Sequence, residues 1–535
     1  MSVEIELKEA TDRILQSTSR RKLIVAGPGA GKTWIFRRLL EQAPGNDESR
    51  LVLTFINSLT DDLDRELGQL ATVRTFHGYC FGVLKRDPQT RPGLRDDFLL
   101  QPHLPALIEE DWRCAYDSEA PNFVDGMRRL DSEVDQKFFL ERSNYYNAVG
   151  FDDAVYRVQR AWNDDPSIVP ALDLVLIDEF QDFNPLEAEV IEALGNAGPI
   201  VIAGDDDQAL YGPLKHATWD YIRRLHSRGD FKVFELPFCM RCTEVIVGAA
   251  NDIIGTAQSR GMLGGRIAKR FEPYPPRKQA DSAAYPNIDH AQCSVQRLNA
   301  NYFGRYIEQQ VLAIPGEEVE EARNANDAPA LVIGQSQYLD QIEKHLAGAG
   351  VPVVRSQSSR SALSKEDGLQ LLKQDPHSNL GWRIILATSE GRDTRAIIAR
   401  SVLDGASIGS LLTEEYKREV LTEAAGFQAA ALPESGSLPS ALYVRLVSFE
   451  GAKGLSAQHV FVVGLHDSDL PRNSSAITDR EVCLFLVALT RAKKKCTFLT
   501  CSIFAQTWKA KSSFISWINP ARLRLLEIRA QYWQS

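Results

Sequence analysis

Short runs of branched apolar residues, each closing on a glycine loop or a pair of acids, set the rhythm of this chain. Lys22 to Ala26 (KLIVA) is apolar enough on both faces to be a buried parallel strand. Helical spacing follows through Trp34, Phe36, Leu39 and Leu40. Leu172 to Ile177 and Pro199 to Ala203 are strands of the same kind. Past the loop Asn324 to Pro329, a strand over 330–333, a helix over 339–346 and a strand over 351–354 spell a βαβ unit. The strand at Tyr443 to Val447 re-enters that second unit. Two stretches break the rhythm with helical, more polar patterns: 81–170, carrying Trp112, Tyr116, Tyr145 and Tyr146, and 358–440, carrying Trp382, Ile384 and Ile385. The pattern over 255–328 predicts no clear element.

A chain of 535 residues is too long for one core, so two to four domains are expected. Its longest apolar runs are strand-length, far short of a membrane span. The first residues, MSVEIELKEATDR, carry no secretory pattern, and eight cysteines without a framework suit a reducing cytoplasm. The net charge of −10 (61 basic against 71 acidic residues) argues against a broad, indiscriminate nucleic-acid surface. It leaves room for local clusters, at Arg20 to Lys22 and Arg491 to Lys495.

The chemistry starts at the loop after the first strand. Gly27, Pro28, Gly29, Ala30, Gly31, Lys32 and Thr33 match the P-loop pattern in its required strand–loop–helix context. Backbone N–H groups there close around phosphates and the helix N-terminus adds a favourable field. Lys32 would reach the outer phosphates and Thr33 would bind Mg2+. Asp178 and Glu179 stand at a strand C-terminus, where α/β sheets place their chemistry. Asp178 would hold Mg2+ and Glu179 would activate water. The third strand runs into Gly204-Asp-Asp-Asp-Gln208, where Gln208 could contact the terminal phosphate.

In this order the three blocks resemble the UvrD/Rep-type superfamily-one helicases. Further matches extend the resemblance over residues 22–495. Thr54 to Asn57 and Thr75 to Cys80 look like the family's two DNA-contacting segments, and Phe55, Asn57, Phe76, His77 and Tyr211 are the implied DNA-binding residues. Leu236 to Arg241 is similar to the segment whose arginine touches the γ-phosphate, with Met240 at the base-stacking position. Ser448 to Leu455, including Gly454 on the nucleotide side, resembles the fifth motif, and Val487 to Lys493 the sixth, with Arg491 as a second arginine finger. The implied fold is α/β, with two RecA-like P-loop lobes, each built on a mainly parallel sheet, plus mostly helical insertions.

The resulting division places the first lobe at 1–80 and 171–254, interrupted by a helical insertion at 81–170. A connecting region covers 255–328, and the second lobe covers 329–357 and 441–535, interrupted by a reduced insertion at 358–440.

The implied activity is ATP- and Mg2+-dependent translocation or unwinding on single-stranded DNA, 3′ to 5′, with RNA an open alternative and no membrane partner. A different class remains: an ATP-gated DNA-sensing subunit controlling a partner such as a nuclease, in DNA repair or phage defence. Three departures bear on the nucleoside end. Gln16 lies too close to Gly27 to read adenine, Met240 replaces an aromatic residue, and Ser456 replaces a ribose-contacting glutamate. Cys239 and Cys242 with His290 and Cys293 supply enough ligands for a tetrahedral zinc, although the first pair straddles Arg241.

Overall fold

The computed structural model describes residues 2–55, 57–210, 216, 219–293, 299–355, 362–388, 394–428, 442–529 and 532, with backbone only at 57–59 and 299–301. Two parallel sheets carry the architecture. The first has six strands, in spatial order Thr72–Thr75, Arg50–Thr54, Leu174–Ile177, Ile200–Gly204, Arg21–Ala26 and Lys232–Leu236. Every pairing in it is parallel, with Leu23 opposite Ile202 and Val233. Helices on both faces bury these strands, so Leu23, Ile24, Val52, Leu53, Leu176 and Ile177 are fully enclosed. The loops that follow the strands therefore open at one edge, where such sheets bind ligands.

The second sheet has seven strands, in order Val353–Arg355, Val444–Val447, Ala328–Ile333, Ala457–Val463, Ala492–Cys501, Ile288–Cys293 and Leu523–Ile528, again parallel throughout. Two parallel-sheeted P-loop-type lobes are thus present, in keeping with the fold class expected.

One strand, Ile288–Cys293, comes from the stretch whose pattern predicts no element. Its sequence, Ile-Asp-His-Ala-Gln-Cys, lacks an apolar run because its buried polar groups are answered from neighbouring strands. Asp289 accepts from Arg524 at 2.7 and 2.9 Å and pairs with Lys495 at 3.2 Å, while His290 shares a hydrogen bond with Thr500 at 2.9 Å. Helices Asn299–Leu312 and Gly316–Asn324 follow it in the same region.

The helical stretches pack on one another. Helices Leu104–Tyr116 and Lys137–Tyr146 meet Asn379–Thr388 and Thr394–Leu403. At the contact, fully buried Arg383 donates to Asp111 at 2.8 Å and Glu110 at 2.7 Å. Arg142 donates to Asp111 at 2.9 Å and to the Ser401 carbonyl at 3.2 Å. Each carboxylate is hydrogen-bonded as well as paired, the condition for tolerating buried charge.

Candidate functional site

The P-loop fold follows from its glycines. Gly29 and Gly31 sit at φ 68° and 88°, backbone that side chains resist. A side chain at Gly29 would also collide, since its Cβ would stand 2.4 Å from the Cβ of Arg241. Gly31 begins helix Lys32–Gln42 with no side-chain cap, so the first-turn N–H groups have no side-chain acceptor and suit an anion.

Lys32 leaves this helix toward the two acids. Its Nζ lies 2.6 Å from Glu179 Oε1 and 3.5 Å from Asp178 Oδ1. Burial pulls the ammonium's pKa down, but the Asp178 and Glu179 carboxylates outweigh it and leave it raised. Burial pushes the Asp178 carboxyl up. The same burial acts on Glu179, yet Lys32 and then Lys453 overcome it and hold that carboxyl well below the usual range. Glu179 itself is in the left-handed region, at φ 55° and ψ 43°, a strain of roughly 1–2 kcal/mol for a residue with a Cβ. Gln181 secures it, donating to Glu179 Oε2 at 2.6 Å and accepting from the Asp205 N–H at 2.9 Å.

The second lobe closes on these residues. Arg491, between helix Asp479–Leu489 and strand Ala492–Cys501, donates to Gln208 Oε1 at 3.1 Å and to the Val487 carbonyl at 2.9 Å. Burial, and then the neighbouring Arg241 guanidinium, bring its pKa down to about 9. Lys453 donates to the Gln208 carbonyl and pairs with Asp182 at 2.5 Å and Glu179 at 3.8 Å. Gln208 in turn donates to Asp205 at 2.7 Å.

A cavity of about 810 Å³ brings nearly all the expected nucleotide residues together. Pro28 to Thr33, Asp178, Glu179, Gln208, Met240, Arg241, Gly454 and Arg491 line it. Gly27 lies just outside, lining a smaller adjoining cavity with Lys269 and Asp205. Thr33 and Asp178 offer oxygen donors only, the set that a hard divalent cation takes. Sequence reasoning left Lys453, Asp182, Gln181 and Arg277 out of the site. Lys453 lies inside the segment Ser448 to Leu455, and Gln181 and Asp182 follow Asp178 and Glu179 closely in sequence, so proximity to the assigned residues was the available signal.

Of the DNA-side expectations, that for Phe76 needs correction. Phe76 is fully buried and packs edge-on against Phe183 with ring centroids 5.2 Å apart, so it offers no face to a base. It belongs to the stripe Phe76, Tyr79, Cys80, Val83 and Leu84, the inward face of helix Phe76–Arg86. Phe55 is only 8% exposed and also meets Phe183, at 5.6 Å. His77 is half-buried, with Nε2 3.3 Å from Glu187. Tyr211 and the side chain of Asn57 lie outside the described residues.

The four zinc candidates do not assemble. Cys242 donates its N–H to Cys239 Sγ at 3.4 Å beside Arg241, whereas His290 and Cys293 are on the second sheet. Among the described residues, the one trio at ligand spacing is Asp205, Asp206 and Asp207. Lys269 neutralises all three at 2.6–2.8 Å, joined by Arg266 and Arg223.

Residues 8–213 match a family model described as an AAA domain. The chain is 26% identical over 286 residues to DNA helicase II of Salmonella typhimurium, covering 46% of this chain and 39% of the relative. To the ATP-dependent DNA helicase UvrD2 of Mycobacterium bovis it is 26% identical over 383 residues, 66% of this chain and 51% of the relative. To the ATP-dependent DNA helicase PcrA of Staphylococcus epidermidis it is 21% identical over 378 residues, 62% and 51% of the two chains. The chain therefore spans about half or less of the length of these relatives. Motif order, paired parallel sheets and the relatives agree in making the chain similar to the UvrD/Rep-type superfamily-one helicases, at 21–26% identity.

Proposed function

We propose that this protein hydrolyses ATP to drive movement along single-stranded DNA, 3′ to 5′, as a translocase or helicase. The observation that carries the proposal is the bond from Arg491 of one lobe to Gln208 of the other, at the wall of the P-loop cavity. Burial and the nearby Arg241 guanidinium disfavour the charge on Arg491 until an anion lies beside it. A γ-phosphate supplies that anion, so lobe closure depends on the nucleotide's state.

The P-loop N–H groups and Lys32 bind the phosphates. Thr33 and Asp178 would hold Mg2+, which neutralises charge on the phosphate oxygens when bound. Lys32 and Glu179 neutralise each other at 2.6 Å. Once Lys32 turns to a phosphate, Glu179 loses its strongest pKa-lowering partner and becomes a better base for the attacking water. Gln208 reports the γ-phosphate to Arg491 and Lys453, and through them to the second sheet.

The relatives' printed names, DNA helicases and ATP-dependent DNA helicases, support this reading. A cytoplasmic setting agrees with it. No helix among the described residues is long and apolar enough to cross a membrane. The test is ATPase rate with no nucleic acid, single-stranded DNA, double-stranded DNA and RNA. Stimulation greatest with single-stranded DNA is the expected outcome, and stimulation by RNA alone would overturn the substrate assignment.

A second reading has its own support. Arg383 bonded to Asp111, and Arg142 bonded to the Ser401 carbonyl, tie the short second insertion to the first, giving a compact helical unit. Such a unit suits an ATP-gated DNA sensor that passes its state to a partner such as a nuclease. DNA-stimulated hydrolysis with no unwinding by the purified chain would favour it.

A further inference from the structure

The family's base-stacking aromatic is missing here, and Met240 stands in its place. The cavity shows what surrounds that gap. One wall is the N-terminal helix Val3–Leu15, which turns Glu4, Leu7, Lys8 and Thr11 toward the cavity. These positions share one helical face, at i, i+3, i+4 and i+7. The other wall is Met240 with Tyr274 and Arg277, which come from the start of helix Pro275–Ala284. Arg277 Nη1 lies 3.9 Å from Met240 Sδ, so thioether and guanidinium form one continuous surface.

Arg277 has no carboxylate within ion-pair distance among the described residues, although the chain is acidic overall. Of the other arginines at the cavity, Arg491 donates to Gln208 and Arg65 pairs with Asp62. Two prolines at the first positions of its helix fix the backbone that carries Arg277. A planar, weakly hydrated cation held beside a thioether is a surface on which a flat aromatic ring can lie.

We propose that Arg277 clamps the nucleobase of the bound triphosphate, stacking its guanidinium on the ring face next to Met240, with Leu7 and Thr11 behind the ring. This rests on the nucleotide-hydrolase reading and deepens it by naming what replaces the missing aromatic. The contact is with the π-face rather than the base edge, so it serves all four bases. Tyr274, only 9% exposed and 6.0 Å from Phe238, supports the wall rather than joining the stack.

The test compares wild type with Arg277→Ala, an exposed position whose loss leaves the fold intact by thermal melting. KM for ATP and for GTP should each rise by about three- to thirtyfold, the range of a cation–π contact. Inhibition by inorganic tripolyphosphate, which has no base, should keep the same Ki. A matching loss of tripolyphosphate affinity would overturn the proposal by making Arg277 a phosphate ligand. Unchanged KM for both nucleotides would overturn it too. Absence of any hydrolysis in the wild type would sink the hydrolase reading, and that outcome is distinct from both.

Discussion

Lys453 of the second lobe ends 2.5 Å from Asp182 of the first, and both side chains are buried. The same ammonium donates to the Gln208 carbonyl, so one charge ties the acid-bearing loop of the first lobe to the loop that carries Gln208. Lys453→Met removes the cation and leaves the Asp182 carboxylate enclosed. We expect stability to fall by roughly 3–5 kcal/mol at neutral pH, the usual consequence of halving a buried pair. Equilibrium urea unfolding reads this, and a variant as stable as wild type would show that Asp182 is compensated by other groups.

Asp182 also predicts a pH dependence. Burial pushes its carboxyl up and Lys453 offsets only part of that, leaving it at about 6. The folded chain thus holds this proton more tightly than the unfolded one, whose aspartates titrate near about 4. Its contribution to stability is complete below that value and is lost as pH rises through about 6. Asp182→Asn cannot titrate there. The stability of wild type minus that of Asp182→Asn should therefore decline from pH 4 to 7 and level off above. Parallel curves across the range would contradict the assignment.

For the chemistry itself, Lys32→Ala should abolish hydrolysis by removing the charge that meets the phosphates. Glu179→Gln should leave nucleotide binding largely intact while lowering turnover by at least roughly 10²-fold, as expected for loss of a general base. Near-normal turnover in Glu179→Gln, measured under saturating ATP, would assign the base elsewhere.

Gly29 offers a sharper test of the P-loop and Arg241 together. An added Cβ meets Arg241 at 2.4 Å, and φ 68° already disfavours alanine. Gly29→Ala should weaken ATP binding by at least about tenfold, or 1.4 kcal/mol, with unchanged circular dichroism. Titration of ATP binding by calorimetry checks it; wild-type affinity would mean that the loop rearranges at no cost.

Base discrimination should be poor. Phosphate-side groups are complete, whereas Met240 and Ser456 stand where the family reads base and ribose. Methionine adds only about 0.3–1.5 kcal/mol against a ring and reads no base edge. Steady-state rates with ATP, GTP, CTP and UTP should differ by less than roughly a hundredfold in kcat/KM, about 2.7 kcal/mol. A stronger ATP preference would reveal an edge-reading group.

Much of this site was legible in the sequence because its parts are local. A glycine run between a buried strand and a helix commits its own backbone to the P-loop, and paired acids at a strand end need no distant partner to be recognised. Lys32, Thr33, Asp178, Glu179, Gln208, Arg241 and Arg491 were placed on that basis or by motif resemblance, and they do line one cavity. The tertiary structure alone decided the rest. Phe76 reads as a DNA-side aromatic within its motif, yet the stripe through Tyr79, Cys80, Val83 and Leu84 turns it into the core, because burying that face stabilises the helix more than a solvent-exposed ring would. Strand Ile288–Cys293 carries Asp289 and His290, which look unfit for a sheet interior until Arg524, Lys495 and Thr500 answer them from adjacent strands. Lys453 with Asp182, and Arg277 with Met240, are pairings between distant segments. Neither leaves a local pattern, because a charge or a thioether declares its partner only when folding removes the water between them.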